Sequence, residues 1–209
     1  SDFSWFKARA ATTDSSHRLF DAVRGVTHHL RSNTTGAETT DTELTSFDAD
    51  GFTIDDDGNG SINDNSIAYV AWNWKAGGSA VSNTNGSITS SVSANPSAGF
   101  SIVTYTSTTG TIGHGLSQVP DMIIHKARNV VDHWTVGHKD LNAGSNAWNY
   151  GLPLNTNSAI QTNSGFWNNT APTSSVFSNG SWDNGYTKVA YCFHSVEGYL
   201  KVGSYVGNG

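Results

Sequence analysis

The sequence contains few of the residues that define several protein classes. Its 209 residues include one cysteine, Cys192, which excludes an intrachain disulfide framework. Lys and Arg together number only 11 and are scattered, so no basic stripe is available for a nucleic-acid groove. No apolar run approaches the length that crosses a bilayer. We therefore expect neither nucleic-acid binding nor membrane insertion.

The residues that are abundant favour strands and tight turns. Gly, Ser, Thr and Asn are frequent, and aromatic residues make up 11% of the chain. Aromatic and β-branched side chains favour strands, whereas Gly, Asn and Asp favour tight turns. Short apolar runs are separated by Asp50-Gly51, Asn179-Gly180 and Asn184-Gly185, which are typical hairpin turn pairs. The composition predicts an all-β protein of antiparallel β-sandwich, jelly-roll or lectin-like type.

Two motifs recur at one constant offset. The segment "DFSWFKAR" at the start of the chain matches "DMIIHKAR", which places Asp2 and Asp121 119 residues apart. The segment "YVAWNW" matches "KVAYCF", and the offset between Val70 and Val189 is again 119 residues. A shared offset at both ends of a segment indicates a tandem duplication. We therefore predict two tandem β-sandwich repeats.

A third sequence match sets the boundaries of the repeats. "GFSIVTY" resembles "GYLKVGSY", which lies near the end of the chain. These matches predict a first repeat at 1–78 that lacks its first strand, and a second repeat at 99–198. Residues 79–98 are rich in Ser, Thr and Asn and are interpreted as a linker or arm between the repeats, with one short strand expected around 88–92. Residues 199–209 are expected either to begin a further repeat or to complete the first one.

One acidic loop resembles a calcium-binding loop. Asp55, Asp57 and Asn59 follow the alternation of oxygen ligands at the start of an EF-hand loop, and Asp64 could supply a further oxygen. The twelfth position holds Ser66 where an EF-hand has a bidentate Glu. Because the same residue types are normal in a solvated hairpin loop, calcium binding and a plain turn are both open interpretations.

Three tryptophans lie in polar, turn-like surroundings. Trp148, Trp167 and Trp182 could each stack on a sugar ring, and Asp183 could add a hydrogen bond. These four residues are the predicted glycan contacts, and the alternative is that the tryptophans cap the ends of the core. No nucleophile motif of the G-x-S-x-G type is present. We therefore predict no enzymatic activity.

The combined motifs also carry a family resemblance. The segments "FDAVRGVTHHLRSNTTGAETTDTELTSFDADGFTI", "YVAWNWKAGG", "GFSIVTYTSTTGTIGHGLSQVPDMIIHKAR", "TAPTSSVFSNG" and "VAYCFHSVEGYLKVGSYVGNG" resemble a repeat family in large virion proteins of marine tailed phages. The resemblance implies a β-sandwich repeat in a structural or tail-appendage protein, with no catalytic residues to carry over.

The predicted function follows from the repeats and the resemblance together. We expect a non-enzymatic structural and adhesive module at the virion surface, in a tail fibre or similar appendage. Its expected partners are other virion subunits, further copies of itself and a host-surface glycan. One alternative is a capsid decoration or cement protein, and an alternative of another class is a carbohydrate-active enzyme on a lectin-like sandwich.

Overall fold

The computed structural model describes residues 1–9, 16–55, 62–182 and 184–208. The chain is all-β and antiparallel, with 40% strand and 6% helix, which confirms the predicted fold class at that level. The strands of the first part of the chain are β1 Phe3–Ala8, β2 Arg18–Asp21, β3 His28–Leu30, β4 Thr39–Thr40, β5 Leu44–Phe47, β6 Phe52–Ile54, β7 Tyr69–Trp74, β8 Val81–Asn83 and β9 Ser90–Asn95. The later strands are β10 Phe100–Thr106, β11 Gly110–Gly113, β12 Met122–Ala127, β13 Thr135–His138, β14 Tyr150–Pro153, β15 Gln161–Thr162, β16 Val176–Asn179 and β17 Thr187–Phe193.

Three short helical segments and two small two-stranded sheets are also present in the described ranges. The 3₁₀ turns are Leu141–Gly144 and Ala147–Asn149, and the single α-helical turn, α1, is Ser164–Trp167. Strands β5 and β6 form one hairpin-like pair, and β11 pairs with β16. No helix in the described ranges is long and apolar enough to cross a membrane.

Two large sheets form the body of the molecule. The first sheet has the strand order β4-β3-β2-β1-β7, and the second has the order β15-β14-β13-β12-β17-β10-β9-β8. The first five strands of the second sheet therefore follow the order of the whole first sheet. In the first sheet Phe3 pairs with Trp74, and in the second Met122 pairs with Phe193. Both partners differ by 119 residues, so the strand register agrees with the sequence offset.

The two large sheets pack face to face around one shared core. Phe3 and Leu19 of the first sheet belong to the same buried cluster as Ile102, Val189 and Tyr191 of the second. This arrangement corrects the expectation of two sandwiches that follow each other along the chain, each with its own core. Both faces of the sheets are apolar, so each sheet also packs outward. Burial on both faces makes the two halves mutually dependent.

The outer faces carry two further buried clusters. Phe6 and Phe20 of the first sheet pack against the β5–β6 pair, with Leu44 and Ile62 in the same cluster. The outer face of the second sheet packs against β11, β16 and the helical turns, in a cluster that includes Cys192 and Trp167. The described part of the molecule is thus layered as a two-stranded sheet, the first large sheet, the second large sheet and a further two-stranded sheet.

Residues 79–98 are not a linker, because β8 and β9 lie within them and extend the second sheet. Few apolar side chains mark these strands, so the alternation of a strand is hard to recognise in the sequence. Buried serines stabilise them through hydrogen bonds. The Ser93 hydroxyl donates to the carbonyl of Gly78 at 2.7 Å, and that of Ser90 donates to the carbonyl of Gly113 at 2.9 Å. The interpretation of a linker fails because these polar side chains form hydrogen bonds inside the structure instead of facing solvent.

A buried polar network joins the two sheets. The Tyr191 hydroxyl donates to Asp21 Oδ2 at 2.8 Å, and Arg24 pairs with the same carboxylate. Glu38 then bridges Arg24 at 2.8 Å and Arg128 at 2.7 Å. Asp21 and Arg24 have fully buried side chains, so this network fixes the relative position of the sheets in a water-poor environment.

Candidate functional site

A polar groove lies at one end of the second sheet. It has a volume of about 310 Å³ and runs between the loop after β13 and the loop after α1. Its lining includes Lys139, Asn146, Trp148, Asn149 and Asn169. None of the lining residues in the described part of the chain is a carboxylate. The groove is therefore a candidate binding surface for a polar ligand that carries many hydroxyl groups.

Asparagine shapes both walls of the groove. Asn146, Asn168 and Asn169 have φ angles of 47°, 52° and 49°, in the left-handed region that Asn tolerates better than most residues. Asn168 ends α1, and its backbone N–H donates to the carbonyl of Ser164 at 2.8 Å. Ala143, with a φ of 54°, adopts the same region without the help of a polar side chain. These conformations turn the two loops toward each other.

The asparagine amides are the hydrogen-bonding groups of the groove. Within the described chain the side chains of Asn146, Asn149 and Asn169 make no hydrogen bonds, and each amide can both donate and accept. Vicinal sugar hydroxyls also donate and accept, so they match this array. Lys139 adds a cation, whose Nζ lies 3.1 Å from Asp121 Oδ1. The density of Asn and Gly in "NAGSNAWNY" is the signal by which the sequence could have revealed these loops.

Trp148 and Trp167 do not form the exposed platforms that were predicted. Their exposed fractions are 7% and 1%, and the rings meet edge to face with centroids 5.3 Å apart. Gly137 makes room for them, because a Cβ atom there would lie 2.4 Å from Cζ3 of Trp148. The rings are thus part of the core, and only the edge of Trp148 contributes to the base of the groove. The prediction of stacking on these two residues is wrong because local polarity in the sequence does not report burial.

Trp182 occupies a different surface. Its side chain is 59% exposed, and its ring lies 6.1 Å from that of Phe166 between centroids. It lines a small pocket that shares no residue with the asparagine groove. Asp183, the remaining predicted glycan contact, lies outside the described residues. The three described tryptophans therefore do not converge on one site.

The predicted calcium loop is only partly described. Asp57 and Asn59 lie outside the described residues, whereas Asp55 is exposed and Asp64 is half-buried. The backbone N–H of Asp64 donates to the Tyr69 hydroxyl at 3.2 Å. Among the described residues no group of three His, Cys, Asp or Glu side chains could hold a metal ion. Calcium binding stays a prediction.

The single cysteine is a core residue. Cys192 is fully buried on β17, and burial raises the pKa of its thiol to about 12. A thiol with so high a pKa stays protonated at neutral pH and is a poor nucleophile. Cys192 therefore contributes packing to the outer cluster of the second sheet.

Together, the fold and the groove define an all-β protein of face-to-face antiparallel sheets with an amide-lined surface groove. The chain belongs to the DUF7483 family, a domain of unknown function whose model matches residues 1–209. Comparisons with curated proteins and with solved structures found no match.

Proposed function

We propose that this chain is a non-enzymatic structural and adhesive module of a phage virion, in a tail fibre or similar appendage. In this proposal the two sheets derive from a tandem duplication with an offset of 119 residues. They provide a rigid body, and the end loops contact a host-surface glycan. Weak glycan contacts then add through multivalent display. The observation that carries the proposal is the asparagine groove, whose described lining combines unpaired amides with no carboxylate.

Equivalent hydrogen bonds support the duplication. Asp2 Oδ2 accepts from the backbone N–H of Ala76 at 2.8 Å, and Asp121 Oδ2 accepts from that of Ser195 at 2.7 Å. Both pairs are related by the offset of 119 residues. Lys7 and Lys126 are related in the same way, and each Nζ donates to the carbonyl of the following alanine. Polar bonds at matched positions indicate common descent better than apolar matches, because their geometry is more restrictive.

The chemistry of the groove favours binding over hydrolysis. Glycosidases of the common type need two carboxyl groups about 5–10 Å apart across the sugar. The lining residues that the structure describes include Lys139 and three asparagines but no acid. Amides bind hydroxyl groups without changing protonation, which suits a lectin-like contact.

A glycan array tests the adhesive role. The labelled chain should bind a defined class of glycans, and the double variant Asn146→Gly/Asn169→Gly should bind them about ten-fold more weakly, because two hydrogen-bonding amides are lost. Glycine keeps the left-handed backbone at both positions. The matched control is Asn168→Gly, which changes another exposed left-handed asparagine that does not line the groove. Equal binding by the double variant and the control, or no glycan signal, would exclude this groove as the adhesive site.

Immunogold labelling tests the location in the particle. An antibody against the chain should mark the tail of virions that carry it. Labelling of the capsid at lattice spacing would instead favour the decoration protein.

A further inference from the structure

A buried lysine contacts an asparagine amide on the outer face of the second sheet. Lys188 lies on β17, and strand alternation places it on the same face as Ala190 and Cys192, which belong to the outer cluster of that sheet. Lys188 and Asn179 are each only 1% exposed, and Lys188 Nζ donates to Asn179 Oδ1 at 3.2 Å. Because Asn179 ends β16, this contact joins the small β11–β16 sheet to the second large sheet.

The Asn179 amide is held in one orientation. Its Nδ2 donates to the backbone carbonyls of Thr108 at 3.0 Å and Gly180 at 2.7 Å. Its Oδ1 accepts from Lys188 and also from the Tyr105 hydroxyl at 3.4 Å. The amide carbon Cγ lies about 1.2 Å from Oδ1, so Lys188 Nζ is at most about 4.4 Å from Cγ. A small rotation of the lysine therefore reaches the separation of about 3–3.5 Å from which a nucleophile attacks.

A neutral histidine lies beside this pair. His125 on β12 pairs with Ala190, which places it diagonally from Lys188 on the same face of the sheet. The ring is 3% exposed, and its Nδ1 has no hydrogen-bond partner among the described residues. Burial, together with the neighbouring Lys188 and Lys126, holds the pKa of His125 well below 6.5. The uncharged ring can accept a proton, and its low pKa means that it passes the proton on again.

We infer that Lys188 and Asn179 become joined by an amide bond within the folded chain. Lys188 Nζ, as the neutral amine that burial favours, adds to Cγ of Asn179 while the Tyr105 hydroxyl stabilises the charge that develops on Oδ1. His125 takes one proton from Nζ and delivers it to Nδ2 of the asparagine. The Cγ–Nδ2 bond then breaks and ammonia leaves, so the Nζ–Cγ amide forms without an oxidant or any other reagent.

The link holds an exposed loop to the body of the molecule. It closes the segment 179–188, which carries Trp182 on the surface. A cross-link restricts the unfolded chain and so stabilises the folded one. With a single cysteine the chain cannot form an intrachain disulfide, and an amide supplies a covalent tie that does not depend on redox conditions. None of the residues that take part lines the asparagine groove.

Mass spectrometry of the full chain tests for the link. The folded protein, denatured before measurement, should be lighter than its sequence by one ammonia, about 17 Da. An Asn-Gly pair such as Asn179-Gly180 also loses ammonia when it forms a succinimide, so the new bond must be located in peptides. Chymotrypsin cuts after Trp182 and Tyr186, between the two joined residues. In the linked chain the peptides on either side of these cuts should stay together.

Lysine variants provide the matched comparison. Lys188→Met removes the amine but keeps a long side chain in the apolar cluster, so this variant should have the full mass of its own sequence. Lys126 is also 1% exposed, but its Nζ donates to backbone carbonyls, so Lys126→Met should still lose ammonia. His125→Phe and Tyr105→Phe should each slow the reaction at least about ten-fold, which would appear as an unlinked fraction in freshly made protein. Circular dichroism checks that each variant folds.

Two outcomes would overturn the inferred bond. The first is a folded wild-type chain with the full mass of its sequence, because the lysine and the asparagine would then form only a hydrogen bond. The second is loss of ammonia from peptides that chymotrypsin separates, or from folded Lys188→Met, because the loss would then lie at another position. If Lys188→Met does not fold, the wild-type peptides still decide. Neither outcome changes the glycan-array result, so failure of the link is distinguishable from failure of the adhesive function.

Discussion

Asp21→Asn should strongly destabilise the contact between the two sheets. The Asp21 side chain is fully buried and pairs with Arg24, which is also fully buried. Burial alone would lower the pKa of Arg24, but Asp21, Tyr191 and Glu38 together outweigh burial and raise it. A guanidinium stays charged at neutral pH whatever its surroundings, so in the variant Arg24 keeps Glu38 as its ionic partner among the described residues. Breaking a buried ion pair on one side destabilises a protein by about 3–5 kcal/mol.

Urea unfolding at pH 7 measures this effect. With an m-value of about 2 kcal/mol/M and a loss of about 3 kcal/mol, the midpoint should fall by about 1.5 M. Tyr191→Phe removes only the hydroxyl that donates to Asp21 at 2.8 Å, and it should destabilise the chain by about 1–2 kcal/mol. The double variant should show non-additive losses, because both residues act in one network.

A surface carboxylate provides the control for this prediction. Asp50 is exposed, and Asp50→Asn should change the free energy of unfolding by no more than about 0.5 kcal/mol. A loss below about 1 kcal/mol for Asp21→Asn would show that the network is not what holds the sheets together. Equal losses for Asp21→Asn and Tyr191→Phe would likewise refute the argument, because the charge would then contribute nothing beyond a hydrogen bond.

Three further predictions follow from the core and from the paired positions 119 residues apart. Burial lowers the folded-state pKa of His114 from 6.5 to about 4, so the unfolded chain binds more protons between these values and stability is lost as the pH falls through them. Urea titrations at about pH 6.5 and about pH 4 measure this loss in the free energy of unfolding. In His114→Asn the loss should be smaller by on the order of 3 kcal/mol. Asp2→Ala and Asp121→Ala should each destabilise the chain by about 1–2 kcal/mol in urea; a large effect of only one would argue against equivalent roles. Gly137→Ala forces a Cβ to 2.4 Å from Trp148, which should lower the free energy of unfolding by about 1–3 kcal/mol. A lower melting temperature and an altered near-ultraviolet circular dichroism spectrum would report this change.

The strands with clear apolar alternation are the part of the fold that could be predicted. "YVAWNW" places Trp72 and Trp74 on one side of its strand, and in the structure Trp74 packs against the core between the sheets. β9 could not be recognised in the same way, because Ser90 and Ser93 are buried through hydrogen bonds. A polar side chain with a partner inside the protein looks the same in the sequence as one in water.

The candidate site was predictable only in its composition. Aromatic and Asn-rich loops indicated a ligand surface near Trp148, but the ring itself proved to be buried. Asn146 and Asn169 line the same groove although they are distant in the chain. Their approach depends on left-handed backbone conformations at the ends of two separate loops, and no local pattern specifies how two loops face each other.

The sequence by itself determined the strand-forming character of the chain and the offset of 119 residues between its matching motifs, because both depend on local patterns of side chains. Only the tertiary structure decided that the two halves face each other around one core, with Tyr191 of one half bonded to Asp21 of the other. It also decided that β10 covers β17, whereas among the described strands β7 pairs only with β1. Strand pairing and sheet packing join residues far apart in the chain through backbone hydrogen bonds and shape, which side-chain type alone does not encode.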